Sequence, residues 1–166
     1  MSVICCKIEK DRIEIASDSI RVYGYTQSKG SNTTHTKLMQ VNDMTFGSAG
    51  TCQEASLFSV FCLTHKPKAP TVEDILTFYS EFASWQNDKV GKFDVKNDYI
   101  FICEKTAFSV NGFFVDKIKT YDAIGAGMDY ALSALYLGHG VSKAVDVACE
   151  LSVYCEAPIN KIIIDL

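Results

Sequence analysis

No apolar run in the chain reaches the roughly 18 residues that a membrane span requires, and its first residues lack the basic-then-apolar form of a secretory signal. A membrane-bound or exported protein is therefore not expected. Positive charge is also in deficit. Sixteen Lys and Arg against 20 Asp and Glu leave a net charge of −4 and a pI near 5.3, which argues against nonspecific binding to nucleic acid. The cysteines at positions 5, 6, 52, 62, 103, 149 and 155 form no CxxC pair and have no histidine at zinc spacing. Their neighbours are apolar, as in Phe61-Cys62-Leu63, so they read as small core hydrophobes in a reducing cytoplasm. No metal, cofactor or disulfide framework is expected.

What the chain does contain is an ordinary globular composition, 48% hydrophobic and 22% charged. Residues 1–166 fit one domain that buries about 70% of its unfolded surface. Two β-rich runs, Val3 to Ile8 and Arg12 to Ser17, flank the polar corner Glu9-Lys10-Asp11 and read as a hairpin. With Met1 removed, Ser2 stands directly before a core strand and carries a hydroxyl and a free α-amine on one carbon. An α-amine titrates near 7.7–8.0, within reach of a general base at neutral pH. One residue then supplies both nucleophile and base. Serine after an initiator methionine is common, so the residue alone establishes no chemistry.

Further along, Ile20 to Tyr25 reads as a strand and residues 26–34 as a polar loop. Thr36 to Val41 and Met44 to Ser48 flank Asn42-Asp43 as a second hairpin. Thr51 to His65 has a helical pattern, with His65 a capping or surface residue. Thr71 and Asp74 form a capping box before an amphipathic stripe running from Val72 to Ala83. Short strands are expected over Tyr99–Cys103, Ala107–Val110, Gly112–Val115 and Tyr121–Ile124. The turn Gly125-Ala126-Gly127 then leads into a helix at Met128, ended by Gly138-His139-Gly140. A helix over Val141–Tyr154 and a strand over Lys161–Ile164 complete the pattern. Gly-x-Gly without a third glycine or a strand–helix–strand crossover is a poor nucleotide site.

Three stretches together resemble the proteasome-like N-terminal nucleophile (Ntn) hydrolases, which include proteasome β-subunits and HslV-type peptidases. They are Ser2 with Ala16-Ser17-Asp18-Ser19, then Lys37-Leu38 through Val41 and Asp43 to Ser48-Ala49-Gly50-Thr51, then the run from Asp122 through Ile164. The resemblance covers nearly the whole chain. It implies an α+β fold, a four-layer αββα sandwich of two antiparallel sheets between helical layers. It implies Ser2 as nucleophile, Lys37 as the buried lysine beside it, Asp18 as the lysine's partner and the Gly50 N–H as oxyanion donor. Lys29 is the other candidate for the lysine, because the preceding loop is longer than the family's usual one. Ser48 and Cys52 fall at substrate-pocket positions, with Arg21 at the rim favouring an acidic or polar side chain. Also implied are self-assembly into rings, an unfolded polypeptide substrate, an ATP-dependent unfoldase as partner and a cytoplasmic location, with neither nucleic acid nor membrane involved.

Two departures stand out. The family's serine between the turn glycines is Ala126 here, which removes a proton relay. Tyr154 is followed by Cys155 and Glu156 in place of hydroxyl and amide residues; Cys149, Ser152 and Cys155 occupy positions where the family can bind a monovalent cation, and no metal is assigned to them. The sequence thus leaves open an active peptidase, a catalytically silent ring subunit and an amidase acting on a small molecule.

Overall fold

The computed structural model describes residues 1–28 and 34–166. Eleven strands and four helices follow one another among these residues. They are β1 (Ile4–Ile8), β2 (Arg12–Ser17), β3 (Arg21–Tyr23), β4 (Thr26–Ser28), β5 (Leu38–Val41), β6 (Met44–Ala49), α1 (Cys52–Phe61), α2 (Val72–Val90), β7 (Asp98–Cys103), β8 (Thr106–Asn111), β9 (Phe114–Lys117), β10 (Tyr121–Ile124), α3 (Met128–Tyr136), α4 (Val141–Leu151) and β11 (Asn160–Asp165). β10-β1-β2-β11 form one antiparallel sheet and β5-β6-β7-β8-β9 another, while β3 and β4 pair separately.

Alternation along the strands builds the layers. In β1, Ile4 and Cys6 face the other sheet; Ile13 and Ile15 of the neighbouring β2 point the same way, and Leu38, Ile100 and Ile102 of the second sheet meet them. Val3 and Cys5 face the opposite way, onto the alanine-rich surface of α3 and α4 (Ala131, Ala134, Ala144, Ala148). β7 does the same, sending Ile100 and Ile102 between the sheets and Tyr99, Phe101 and Cys103 towards α1 and α2. The result is helices, sheet, sheet, helices: the αββα sandwich. The two helical contacts differ in chemistry. Small residues let α3 and α4 lie close to their sheet. The other side is aromatic, with Phe58 at its centre and the rings of Phe46, Tyr79, Phe82 and Tyr99 within 4.7–5.0 Å.

Helix boundaries follow local chemistry. Thr71 caps α2 by accepting from Asp74 N at 3.2 Å, and Gly91 ends it in the left-handed region at φ 66°. The apolar stripe legible to Ala83 is therefore only part of a helix that runs to Val90. α1 ends earlier than expected, at Phe61; His65 stacks on that ring at 4.1 Å, with Nδ1 3.1 Å from the Phe61 carbonyl. α4 also ends early, because Ser152 is extended, so Val153 and Tyr154 lie beyond it. The strand expected over Gly112–Val115 is displaced to Phe114–Lys117, since Gly112 (φ 56°) belongs to the turn. Part of the expected polar loop is β4, which pairs with β3 across a turn at Gly24 (φ 58°). Among the described residues no helix is long and apolar enough to cross a membrane.

One glycine, in β6, lies against Ile4 of the facing sheet. A Cβ on Gly47 would stand 2.6 Å from Ile4 Cγ2 and 3.0 Å from Leu38 Cδ2. Gly47→Ala should lower stability by about 1–3 kcal/mol through overpacking. Urea unfolding at constant m-value checks this; an unchanged midpoint would show that the sheets separate freely.

Candidate active site

The hairpin β1–β2 returns Ser17 opposite Ile4, which sets Asp18 beside the backbone of residue 3. Asp18 N donates to Val3 O at 3.2 Å, and Val3 N donates to Asp18 Oδ1 at 2.9 Å. Asp18 is fully buried. Its Oδ2 accepts from Ile20 N (3.1 Å) and Glu156 N (3.3 Å), and its Oδ1 also accepts from Lys37 Nζ at 2.7 Å. Lys37, just before β5, is itself buried. Burial pulls its amine below the ordinary lysine value, opposed by the charge and hydrogen bond of Asp18. Lys37 is thus the lysine that meets Asp18; Lys29, the other candidate, lies outside the described residues.

Ser2 is held by its main chain. Gly127 N donates to Ser2 O at 3.1 Å, and a Cβ on Gly125 (φ +90°) would lie 2.5 Å from that oxygen. Only glycine lets the β10–α3 turn approach so closely in that conformation. The Ser2 hydroxyl donates to Met1 O. Ala126, between these glycines, is exposed and brings no hydroxyl.

Ser2, Lys37, Gly50, Arg21, Ser48 and Cys52 all line one cavity of about 350 Å³, while Asp18 stands behind Lys37. His35 also lines it and was not singled out from the sequence. Desolvation first, then the charges of Arg21 and Lys37, lower its pKa. The exposed Cys52 Sγ lies 4.0 Å from His35 Nε2. Arg21 Nη2 reaches Ser28 Oγ at 3.4 Å, tying the rim to β4. Cys155 is buried against Gly127, where a Cβ would meet its Sγ at 2.5 Å. Burial first, then Asp18, raises its thiol to about 11.

Sequence reasoning also missed Glu54, Asn97 and Tyr99, all buried behind Gly50. A signal existed: Thr51-Cys52-Gln53-Glu54 has the spacing of a capping box. Here the box is diverted. Thr51 Oγ1 accepts from Glu54 N at 3.3 Å, but the N–H of Thr51 goes to Asn97 Oδ1 at 2.7 Å, and the Glu54 carboxylate turns to other partners.

No family model matches the chain, and no curated protein matches its sequence significantly. Solved structures do. BPH of Thiobacillus denitrificans, in complex with epoxomicin, superposes with a TM-score of 0.89 at 17% identity, over 99% of this chain and 98% of that one. Eukaryotic HslV from Trypanosoma brucei gives 0.73 at 18%, over 99% of both chains. Anbu, an ancestral β-subunit, from Yersinia bercovieri gives 0.72 at 14%, over 97% and 80%. The fold is thus that of the proteasome-like Ntn peptidases, over nearly the full length.

Proposed function

We propose that the chain is a peptidase subunit that hydrolyses peptide bonds through Ser2, once removal of Met1 makes Ser2 the amino-terminal residue. The observation that carries this reading is the convergence of Ser2, the buried Lys37–Asp18 pair and Gly50 on one cavity. The released α-amine takes the Ser2 hydroxyl proton as Oγ attacks the carbonyl carbon. Lys37, kept charged by Asp18, favours the developing alkoxide. The carbonyl oxygen becomes an oxyanion facing the Gly50 N–H. Collapse returns the proton to the departing amine and leaves an acyl ester on Ser2, which water then hydrolyses. Arg21 at the rim favours an acidic or polar side chain in the cavity.

The subunit acts in this proposal as a member of a cytoplasmic ring of identical copies, fed unfolded polypeptide by an ATP-dependent unfoldase. Exposed apolar side chains support association: Tyr136, Leu137, Leu151 and Val153 are each more than 60% exposed. A silent structural subunit is the second reading, favoured by Ala126 and by the hydroxyl of Ser2 turned to Met1 O. Epoxomicin and fluorogenic peptides separate the two. Protein beginning at Ser2 should be labelled on Ser2 and turn over peptide, and Ser2→Ala should do neither. Absence of both from Met1-free assembled protein, with an unfoldase supplied, leaves the silent reading.

A further inference from the structure

The β6–α1 turn that carries Gly50 is clamped from behind by a side-chain network that the proposed chemistry does not itself use. Asn97, buried just before β7, brackets that turn. Its Oδ1 accepts from Thr51 N at 2.7 Å; its Nδ2 donates to Thr51 O and to Ser48 Oγ, both at 2.9 Å. Gly50 between these points has φ +148°, and a Cβ there would lie 2.0 Å from Asn97 Oδ1. The amide of Asn97 therefore occupies the space that any side chain at position 50 would need. Asn97 is fixed in turn by Glu54. Glu54 Oε1 accepts from Asn97 N (2.9 Å) and Tyr99 OH (3.0 Å), and Oε2 accepts from Lys96 N (3.0 Å).

Every donor and acceptor of the Asn97 side chain is thus committed to the turn, and the carboxylate beneath it is held by three donors. A buried polar network this fully paired is rigid, because each broken bond leaves an unsatisfied group out of water. Its rigidity is spent on residues 48 to 51, the stretch facing Ser2. Orientation is what an oxyanion donor must have, since it acts on charge that exists only in the transition state and cannot reorganise in time.

We infer that Asn97, locked by Glu54, is a positioning residue that aims the Gly50 N–H at the oxyanion formed on attack by Ser2. The inference rests on the peptidase reading above. It predicts an effect on the tetrahedral state and little on ground-state peptide binding.

The test compares protein beginning at Ser2 with its Asn97→Leu variant, which keeps the side-chain volume and removes both polar atoms. Asn97→Leu should lower kcat by about 10²-fold, the scale of a lost oxyanion donor, with KM within about twofold. A peptide aldehyde supplies the readout that a merely structural role would not give. Ser2 Oγ adds to the aldehyde carbon while its proton passes to the aldehyde oxygen, giving a hemiacetal whose oxygen sits where the oxyanion forms. Aldehyde affinity should fall by the same factor as kcat, while a non-covalent peptide amide of the same sequence should bind unchanged. Glu54→Gln, of the same shape with one acceptor kept, should show the same pattern at roughly tenfold, and decides the matter if Asn97→Leu does not fold. A folded variant with unchanged kcat overturns the inference, as does equal weakening of aldehyde and amide. If the parent protein itself neither turns over peptide nor binds aldehyde, the peptidase reading has failed, and the inference falls with it.

Discussion

Lys37→Met should destabilise the protein by about 3–5 kcal/mol and remove at least about 10²-fold of the proposed peptidase activity. The stability loss comes from Asp18, fully buried, whose closest contact is the lysine ammonium at 2.7 Å. Its three backbone donors remain and continue to stabilise the carboxylate, so the lower end of the range applies. On the proposed mechanism the activity loss comes from the missing cation in the cavity that Lys37 shares with Ser2. Urea unfolding and peptide turnover read the two effects separately. A pH series adds a sign. Burial lowers the Lys37 pKa, so the unfolded chain holds that proton to higher pH than the folded one. Between the two values stability rises with pH, and below the folded value this dependence vanishes. The same lowering puts the alkaline limb of kcat/KM beneath the ~10.4 of an ordinary lysine. Full activity in a folded Lys37→Met protein would remove the lysine from the mechanism.

An effect of similar size should follow from a single peptide bond. With Met1 attached, the Ser2 nitrogen is an amide with no basicity, and the hydroxyl already donates to Met1 O. Protein released from a cleavable amino-terminal fusion so that Ser2 comes first should turn over peptide roughly 10²–10⁴-fold faster than the uncleaved fusion. The acid limb of its profile should fall near the 7.7–8.0 of an α-amine. Intact mass establishes which form is assayed. Equal turnover before and after cleavage would mean that the base is another group.

These expectations were reachable from sequence because their determinants are local. The β1–β2 hairpin follows from alternation around a polar corner, and a hairpin returns its far end to its start, bringing Asp18 to residue 3. Gly125 and Gly127 mark a strand-to-helix turn whatever lies beside it. Lys37 needed the family resemblance to be preferred to Lys29, because nothing within its own hairpin says that it is buried. The β3–β4 pair was hidden for the opposite reason: Tyr23 and Tyr25 look like core residues but are exposed, and Thr26 to Ser28 is as polar as a loop. Asn97 was beyond reach, and Glu54 was legible only through its capping-box spacing from Thr51. They meet across 43 residues, and a buried amide has no signature in the chain until its partners are known.

The strand order β10-β1-β2-β11 also fixes when the site can exist. Ser2 and Asp18 are made well before their partners: Ser2 O waits for Gly127 N and Asp18 Oδ2 for Glu156 N. At roughly 5–20 residues per second, those partners are synthesised about six to thirty seconds later. Until then the nascent chain carries a serine with no socket, and the outer edges of β1 and β2 have nothing to pair with. If the chain is the peptidase proposed above, this order keeps it inert until its last strand is made, a period when the nearest unfolded substrate would be itself.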